Sequence, residues 1–434
     1  MNRKILSWTI YMVVTSFGIV SAQSLASDVL TSNTIDVRSR GAAGDGRTLD
    51  TEALQRAFDD CVSQGGARIV FPPGTYLSGA LFIKGDHVVI ELQAGATLKG
   101  STDVSHYPQI ETRFEGTERR YAAALLNGRD LWDVTLTGRG TIDGSGAPWW
   151  RAYNARRRGE TPKGYERETR PRLICLHGCR DVLVETLTLQ NPAFWNLHFV
   201  YCQNVRAEGL TIRAPRGALS SDGIDVDSCT HVLIRDCDIA CDDDCISVKS
   251  GRDADGLRVN RPSEYIVIRN CTLGPAGCMV SMGSETAGGI RHVLVENCKG
   301  RDARNGLRLK TAPGRGGTVE DIVYRNITFD NMLYCIVFNM RWGTSDWPGG
   351  QYPPEAVPVF RQITVRDVTG SGRSAGLLQG LEDSPLREIR FDNVRIDATT
   401  GMRVRNAQDI DLSGLAIHVT EGEPFIELNQ STRH

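Results

Sequence analysis

Val232-Leu233-Ile234-Arg235-Asp236-Cys237, Ile266-Val267-Ile268-Arg269-Asn270-Cys271 and Val293-Leu294-Val295-Glu296-Asn297-Cys298 are copies of one short pattern. Each copy alternates apolar residues, then places Asp or Asn before a small apolar residue. Val182-Leu183-Val184 and Ile322-Val323-Tyr324-Arg325-Asn326-Ile327 belong to the same series, and further copies begin at Ile363, Ile389 and Ile410. The copies recur roughly every 20 to 40 residues, the period of a solenoid. β-branched residues in period-two alternation, closed by Gly, Asn, Asp or Ser, read as short strands with corners. Long helical patterns are nearly absent after Cys61, which excludes a barrel of alternating strands and helices. One strand pattern repeated in every turn of the chain predicts an all-β, right-handed parallel β-helix whose coils stack at about 4.8 Å.

An open end of such a stack exposes strand edges and core and needs a cap. Thr51–Cys61 places Leu54, Ala57, Phe58 and Cys61 at helical spacing, with Asp50 or Thr51 positioned to cap the helix. This segment is the predicted N-terminal cap.

Upstream, Arg3 and Lys4 precede an apolar run from Ile5 to Val20, and Val20-Ser21-Ala22 supplies small residues before Gln23. Residues 1–22 read as a signal peptide. The run is shorter than the roughly 20 residues of a membrane span. The expectation is export to the periplasm or the medium, with residues 23–434 forming a single catalytic domain and no membrane attachment after cleavage. A formal net charge of -2 gives no reason to expect nucleic-acid binding. No coiled-coil pattern appears, and a monomer is expected. Twelve cysteines in an exported chain invite a disulfide reading. Most of them fall inside strand-like runs, so buried thiols filling core positions are the simpler expectation. Cys-x-x-Cys pairs at zinc spacing are absent, and neither a metal nor a cofactor is predicted.

The chemistry concentrates in Ser220-Ser221-Asp222-Gly223-Ile224-Asp225 and Asp242-Asp243-Asp244, about one coil later. Residues one coil apart stack on the same face, so Asp222, Asp243 and Asp244 are expected to converge. Asp is also a turn former, and a lone Asp-Gly would be a corner; Asp225, Asp227 and Asp242 are read as structural. Converging carboxylates are costly unless they share protons, hold a cation or do chemistry. Glycoside hydrolysis uses such a set, one carboxylic acid protonating the leaving oxygen and a carboxylate activating water. Adjacent rungs are expected to separate them by the roughly 6.5–9.5 Å of inverting enzymes. A calcium site, as in a lyase, is the alternative use of the same oxygens. Two coils on, Arg308-Leu309-Lys310 projects two cations to one face, where they can hold a substrate carboxylate or pair with the aspartates.

From about Val37 to Val337 the chain resembles glycoside hydrolase family 28, the polygalacturonases and their relatives. The motifs are Gly140-Thr141-Ile142-Asp143-Gly144 with Trp149-Trp150, Ser221-Asp222-Gly223-Ile224-Asp225, Asp243-Asp244 and Arg308-Leu309-Lys310. The resemblance implies a parallel β-helix, an inverting mechanism and a pectic polysaccharide or oligosaccharide as substrate. It implies Asp243 as general acid and Asp222 and Asp244 as the carboxylates that activate water. Arg308 and Lys310 would bind galacturonate, and Tyr334 would line the same subsite. Three departures stand out. Ser220-Ser221 replaces Asn-Thr. Cys278, in Gly277-Cys278-Met279, stands where polygalacturonases carry a histidine, which makes it a possible neighbour of the catalytic site and leaves rhamnogalacturonan open as a substrate. The arginine-rich stretch from Arg151 to Arg172, flanked by Trp149, Trp150 and Tyr153, is either a solvated loop or a wall that would favour cleavage from a chain end. Arg341–Trp347 would supply a second wall. A calcium-dependent pectin or pectate lyase and a non-catalytic pectin-binding β-helix are the competing readings.

Overall fold

The computed structural model describes residues 33–165, 169–343, 351–426 and 432–433; residues 1–22, read above as a signal peptide, lie outside them. Thirty-three strands pair into one sheet wound coil upon coil, and a single antiparallel hairpin stands apart from it. Each coil pairs in parallel with the next, as Thr230–Arg235 does with Ser263–Arg269, and that strand with Ile290–Glu296. Right-handed winding is the hand that parallel crossovers take. No described helix is long and apolar enough to cross a membrane.

The repeat signature has a structural cause. Val232 and Ile234 point into the core, as do Ile266 and Ile268, and Val293 and Val295. The Asp or Asn that follows turns the corner: Asp236, Asn270 and Asn297 have φ of 57°, 57° and 55°, a left-handed conformation that these short polar side chains tolerate. The next cysteine is buried and donates its thiol hydrogen to the carbonyl two residues back, at 3.2 Å from Cys237, 3.3 Å from Cys271 and 3.3 Å from Cys298. All twelve cysteines are buried and unpaired, as the core reading expected.

Helix α1 (Thr51–Ser63) buries Ala53, Leu54, Ala57, Phe58 and Cys61 and packs against the first coils. It runs two residues beyond the predicted Cys61. Its capping differs from expectation. Asp50 occupies the N-cap position without a side-chain bond to the helix; its carboxylate instead accepts from Ala43 N at 2.7 Å and Gly44 N at 3.0 Å. Two helices after Cys61 were not predicted, α2 (Ala147–Arg157) and α3 (Asp253–Val259). Both are excursions between strands and leave the stack intact.

One ladder carries the site. Its strands are β1 (Ile174–His177), β2 (Leu197–Val200), β3 (Ile224–Asp227), β4 (Asp244–Lys249), β5 (Ala276–Met282), β6 (Ala303–Lys310) and β7 (Thr318–Asn339). Leu197, Ile224, Ile246, Val280, Leu307 and Ile336 stack in register toward the core. Their neighbours one residue on point outward: His198, Asp225, Ser247, Ser281 and Arg308. From Ile246 onward strand alternation keeps the polar side chains on the outer face; Asp244, two residues earlier, departs from that phase and reaches Arg308 and Lys310 on the same face.

Candidate active site

The two aspartate segments are tied together by the backbone. The hydroxyl oxygen of Ser221 accepts the Asp242 N–H at 3.0 Å, and Gly223 N donates to the Asp244 carbonyl at 2.9 Å. A Cβ on Gly223 would lie 2.4 Å from the Cys245 carbonyl oxygen, so only glycine permits this approach of the coils. One carboxylate oxygen each from Asp222, Asp243 and Asp244 then lies within 4.8 Å of the others. The predicted convergence of the three carboxylates is present.

Arg308 and Lys310 face the same cluster. Arg308 forms an ion pair with one Asp244 oxygen and Lys310 bonds the other at 3.0 Å. Arg308 Nε also donates to Ser281 Oγ at 3.2 Å. Trp342 lies against both cations, its ring centre 5.2 Å from the Arg308 guanidinium and 5.5 Å from Lys310 Nζ. Of the second predicted wall, only Arg341-Trp342-Gly343 falls within the described residues. Tyr334 stands three rungs from Asp244 in the register Asp244, Cys278, Asn305, Tyr334 and is 41% exposed.

Sequence reasoning missed Lys249, which points outward from β4. Its ammonium lies 3.5 Å from Asp225, 3.7 Å from Glu285 and 3.9 Å from Asp222, with the Trp195 ring 4.7 Å away. Period-two counting from Ser247 would have placed Lys249 on this face. Glu285 had no such signal, because it follows the end of β5.

These charges divide the aspartates. Burial would raise the Asp244 carboxyl, but Arg308, Lys310 and Lys249 outweigh it and hold Asp244 ionised. Burial raises Asp222 well above the ordinary range, helped by repulsion from Asp243 and Asp225. Burial and the adjacent Asp244 raise Asp243 as well. The site therefore combines a permanently charged carboxylate with carboxyls that retain a proton, the pair of states that acid–base chemistry requires. Asp243, the least buried of the three, is the one best placed to meet a substrate oxygen. A cation would have to displace Arg308 and Lys310 from Asp244, so the donor set suits calcium poorly.

Cys278 adjoins the site without joining its polar face. The thiol is buried and donates inward to the carbonyls of Val280 at 3.3 Å and Gly306 at 3.6 Å. Burial pushes its pKa up. The arginine-rich stretch is not a solvated loop throughout. Arg151, Arg157 and Arg158 are exposed on or beside α2, but Arg170 and Arg172 are buried, and Arg167 lies outside the described residues. Arg170 stacks on Tyr153 at 3.8 Å and donates to the Leu219 carbonyl at 2.6 Å, supporting the loop that carries Asp222.

A second charged cluster lies immediately beside the first. Asp227, two residues after Asp225 on β3, pairs with Arg113 at 3.0 Å and lies 3.7 Å from His198. Arg172 contacts His198 Nδ1 at 2.9 Å and donates to the Arg113 carbonyl at 2.8 Å. Arg113 belongs to the antiparallel hairpin, Gln109–Phe114 with Thr117–Ala122, which crosses the outer face of the ladder.

Comparison with known proteins agrees with this geometry. The family described as "Glycosyl hydrolases family 28" matches residues 61–415. A probable polygalacturonase of Vitis vinifera is 36% identical over 88% of this chain and 77% of its own length. An exo-poly-alpha-D-galacturonosidase of Dickeya chrysanthemi is 26% identical over 88% of this chain and 70% of its own. The crystal structure of a hyperthermoactive exopolygalacturonase from Thermotoga maritima superposes with a TM-score of 0.76 at 29% identity, covering 88% of this chain and 95% of that one. The chain belongs to family 28 of the glycosyl hydrolases and is a pectin-degrading O-glycosyl hydrolase.

Proposed function

We propose that this hydrolase removes galacturonosyl units from the ends of pectin chains, cutting the α-linkage with inversion. Asp243 protonates the leaving oxygen, and Asp222 and Asp244 together hold the attacking water, with Asp244 as the carboxylate that takes its proton. Arg308 and Lys310 give up part of their contact with Asp244 to hold a substrate carboxylate, with Tyr334 beside it. The observation that carries this reading is the contrast between Asp244, kept ionised by two cations, and Asp222 and Asp243, both pushed upward. End-cleavage is supported by exposure along the outer face. His198, Asp225 and Asp227 are fully buried on the hairpin side, whereas Leu333, Tyr334 and Trp342 are 38%, 41% and 37% exposed on the other. A chain threading past the aspartates meets the hairpin and stops. The exo-acting names of the Dickeya and Thermotoga relatives point the same way.

Inversion rests on Asp222 and Asp244 sharing one water and on the family resemblance. We further infer export through residues 1–22, action as a monomer, and no requirement for a cofactor.

The test is an assay on homogalacturonan and rhamnogalacturonan with chelator present. New reducing ends without unsaturated product, uniform short products from the first turnovers, and inverted anomeric configuration by NMR are expected. A retained anomer would remove the shared-water roles of Asp222 and Asp244. Mixed oligomers at the outset would remove end-cleavage. The responding polymer decides the substrate question raised by Cys278.

A further inference from the structure

The hairpin is held down in an unusual way. Its inner strand is fixed to the ladder by buried charge, through Arg113 to Asp227 at 3.0 Å and Arg172 to the hairpin carbonyl of Arg113 and hydroxyl of Thr112, at 2.8 and 3.0 Å. Arg113, Arg172, His198 and Asp227 are all at most 1% exposed. None of them contacts Asp222, Asp243 or Asp244 through a described ion pair. An apolar seam runs alongside, where Phe114 stacks on Tyr121 at 3.7 Å and leans on Phe194 at 5.1 Å. The tip then reaches the site. Gly116 accepts the Arg252 N–H at 3.2 Å, and a Cβ at Gly116 would lie 2.9 Å from Glu285 Oε2. Glu285 faces Lys249, and Lys249 faces Asp222.

We propose that the Arg113–Asp227 pair is a latch that ends the substrate groove, making Arg113 and Asp227 positioning residues that decide where along a polymer this enzyme cuts. The inference rests on the end-cleaving reading above. Burying an ion pair contributes little net stability, but removing one partner leaves the other charged and unmatched, which is strongly unfavourable. Without the Asp227 charge, Arg113 keeps the Glu118 carboxylate, 3.8 Å away on its own hairpin, and loses its ion pair to the ladder. The cheapest relief is local: the hairpin lifts and water reaches the arginines, while the coils below keep their own hydrogen bonds. The lifted hairpin leaves the outer face continuous across β1 to β3, and a chain can then lie through the site.

The experiment compares the mature wild-type enzyme with Asp227→Asn and Gly116→Val on homogalacturonan. The first variant removes the latch charge without changing shape. The second leaves the buried charges alone and displaces the tip, since φ at Gly116 is +76° and a side chain there meets Glu285 and the Arg252 backbone. Product sizes are resolved at low, matched conversion, with viscosity followed per reducing end, and folding is checked by circular dichroism. The wild type is expected to release one short product with little loss of viscosity. Both variants are expected to raise the share of longer oligomers about tenfold, as the open form becomes populated. Folded variants that keep the wild-type product size, whatever their rate or melting temperature, overturn the latch while leaving end-cleavage standing. A wild type that makes mixed oligomers from the start overturns both.

Discussion

Asp225 and Asp227 lie two residues apart on β3, point to the same outer face and are equally buried, yet they titrate in opposite directions. Burial would raise Asp227, but Arg113 and then His198 outweigh it and lower its pKa. Burial raises Asp225, and the single neighbouring ammonium of Lys249 is divided among Asp225, Glu285 and Asp222. On the hairpin side, cations match the carboxylate and the cluster is closed by packing. On the site side, Asp222, Asp225, Asp243, Asp244 and Glu285 share Lys249, Arg308 and Lys310, so carboxyls outnumber cations and protons are retained. Strand alternation sets where polar groups stand; the local ratio of cations to carboxyls sets whether they hold structure or move protons.

The comparison is broken most severely at the acid. Asp243→Asn should lower turnover by about 10²–10⁴-fold while leaving the melting temperature near wild type; undiminished kcat would remove Asp243 from the role of acid. Next, Asp227→Asn should destabilise the protein by about 3–5 kcal/mol, measured by urea unfolding at neutral pH. A loss of less than about 1 kcal/mol, the range of exposed pairs, would show that the sealed cluster is not an effective pair.

Asp225→Asn should act with the opposite sign. The folded state holds the Asp225 proton above the ordinary range, whereas the unfolded chain releases it near about pH 4. Stability contributed by that group is complete at low pH and falls as pH rises through the raised value. The variant should match wild type in acid and exceed it at neutral pH. Asp227 has the reverse dependence, its contribution being present above about pH 4 and lost as pH falls through its lowered value. Superimposable pH–stability curves for wild type and Asp225→Asn would remove the contrast. Activity follows the same groups: the alkaline limb reports loss of the retained proton, the acid limb protonation of the carboxylate base, giving a bell on the acid side of neutrality. Smallest of all, Trp342→Ala should raise KM by a factor corresponding to about 0.5–1 kcal/mol of cation–π support, with kcat little changed; a large drop in kcat would place Trp342 nearer the reacting bond.

The coils, the capping helix and the aspartate cluster were legible because each follows a short-range rule. Period-two alternation marks the strands, Asn and Asp tolerate the corner conformation, and residues one coil apart share a face. Lys249 was legible in principle and overlooked. The latch was not legible. Gln109–Ala122 has no copy elsewhere in the repeat, and burial of the Arg113 guanidinium depends on a partner, Asp227, more than a hundred residues away.

The corner thiols described above also make the molecule its own recording instrument. Twelve reactive groups are distributed from Cys61 to Cys335, each shielded from reagent in the folded state. A thiol-alkylating probe can modify one only when the coil that hides it opens. Mass spectrometry after timed exposure would therefore read, position by position, which part of the solenoid breathes first as temperature or denaturant rises. In a stack whose coils touch only their neighbours, that record would distinguish fraying from the ends from collapse at the middle, with no label to engineer.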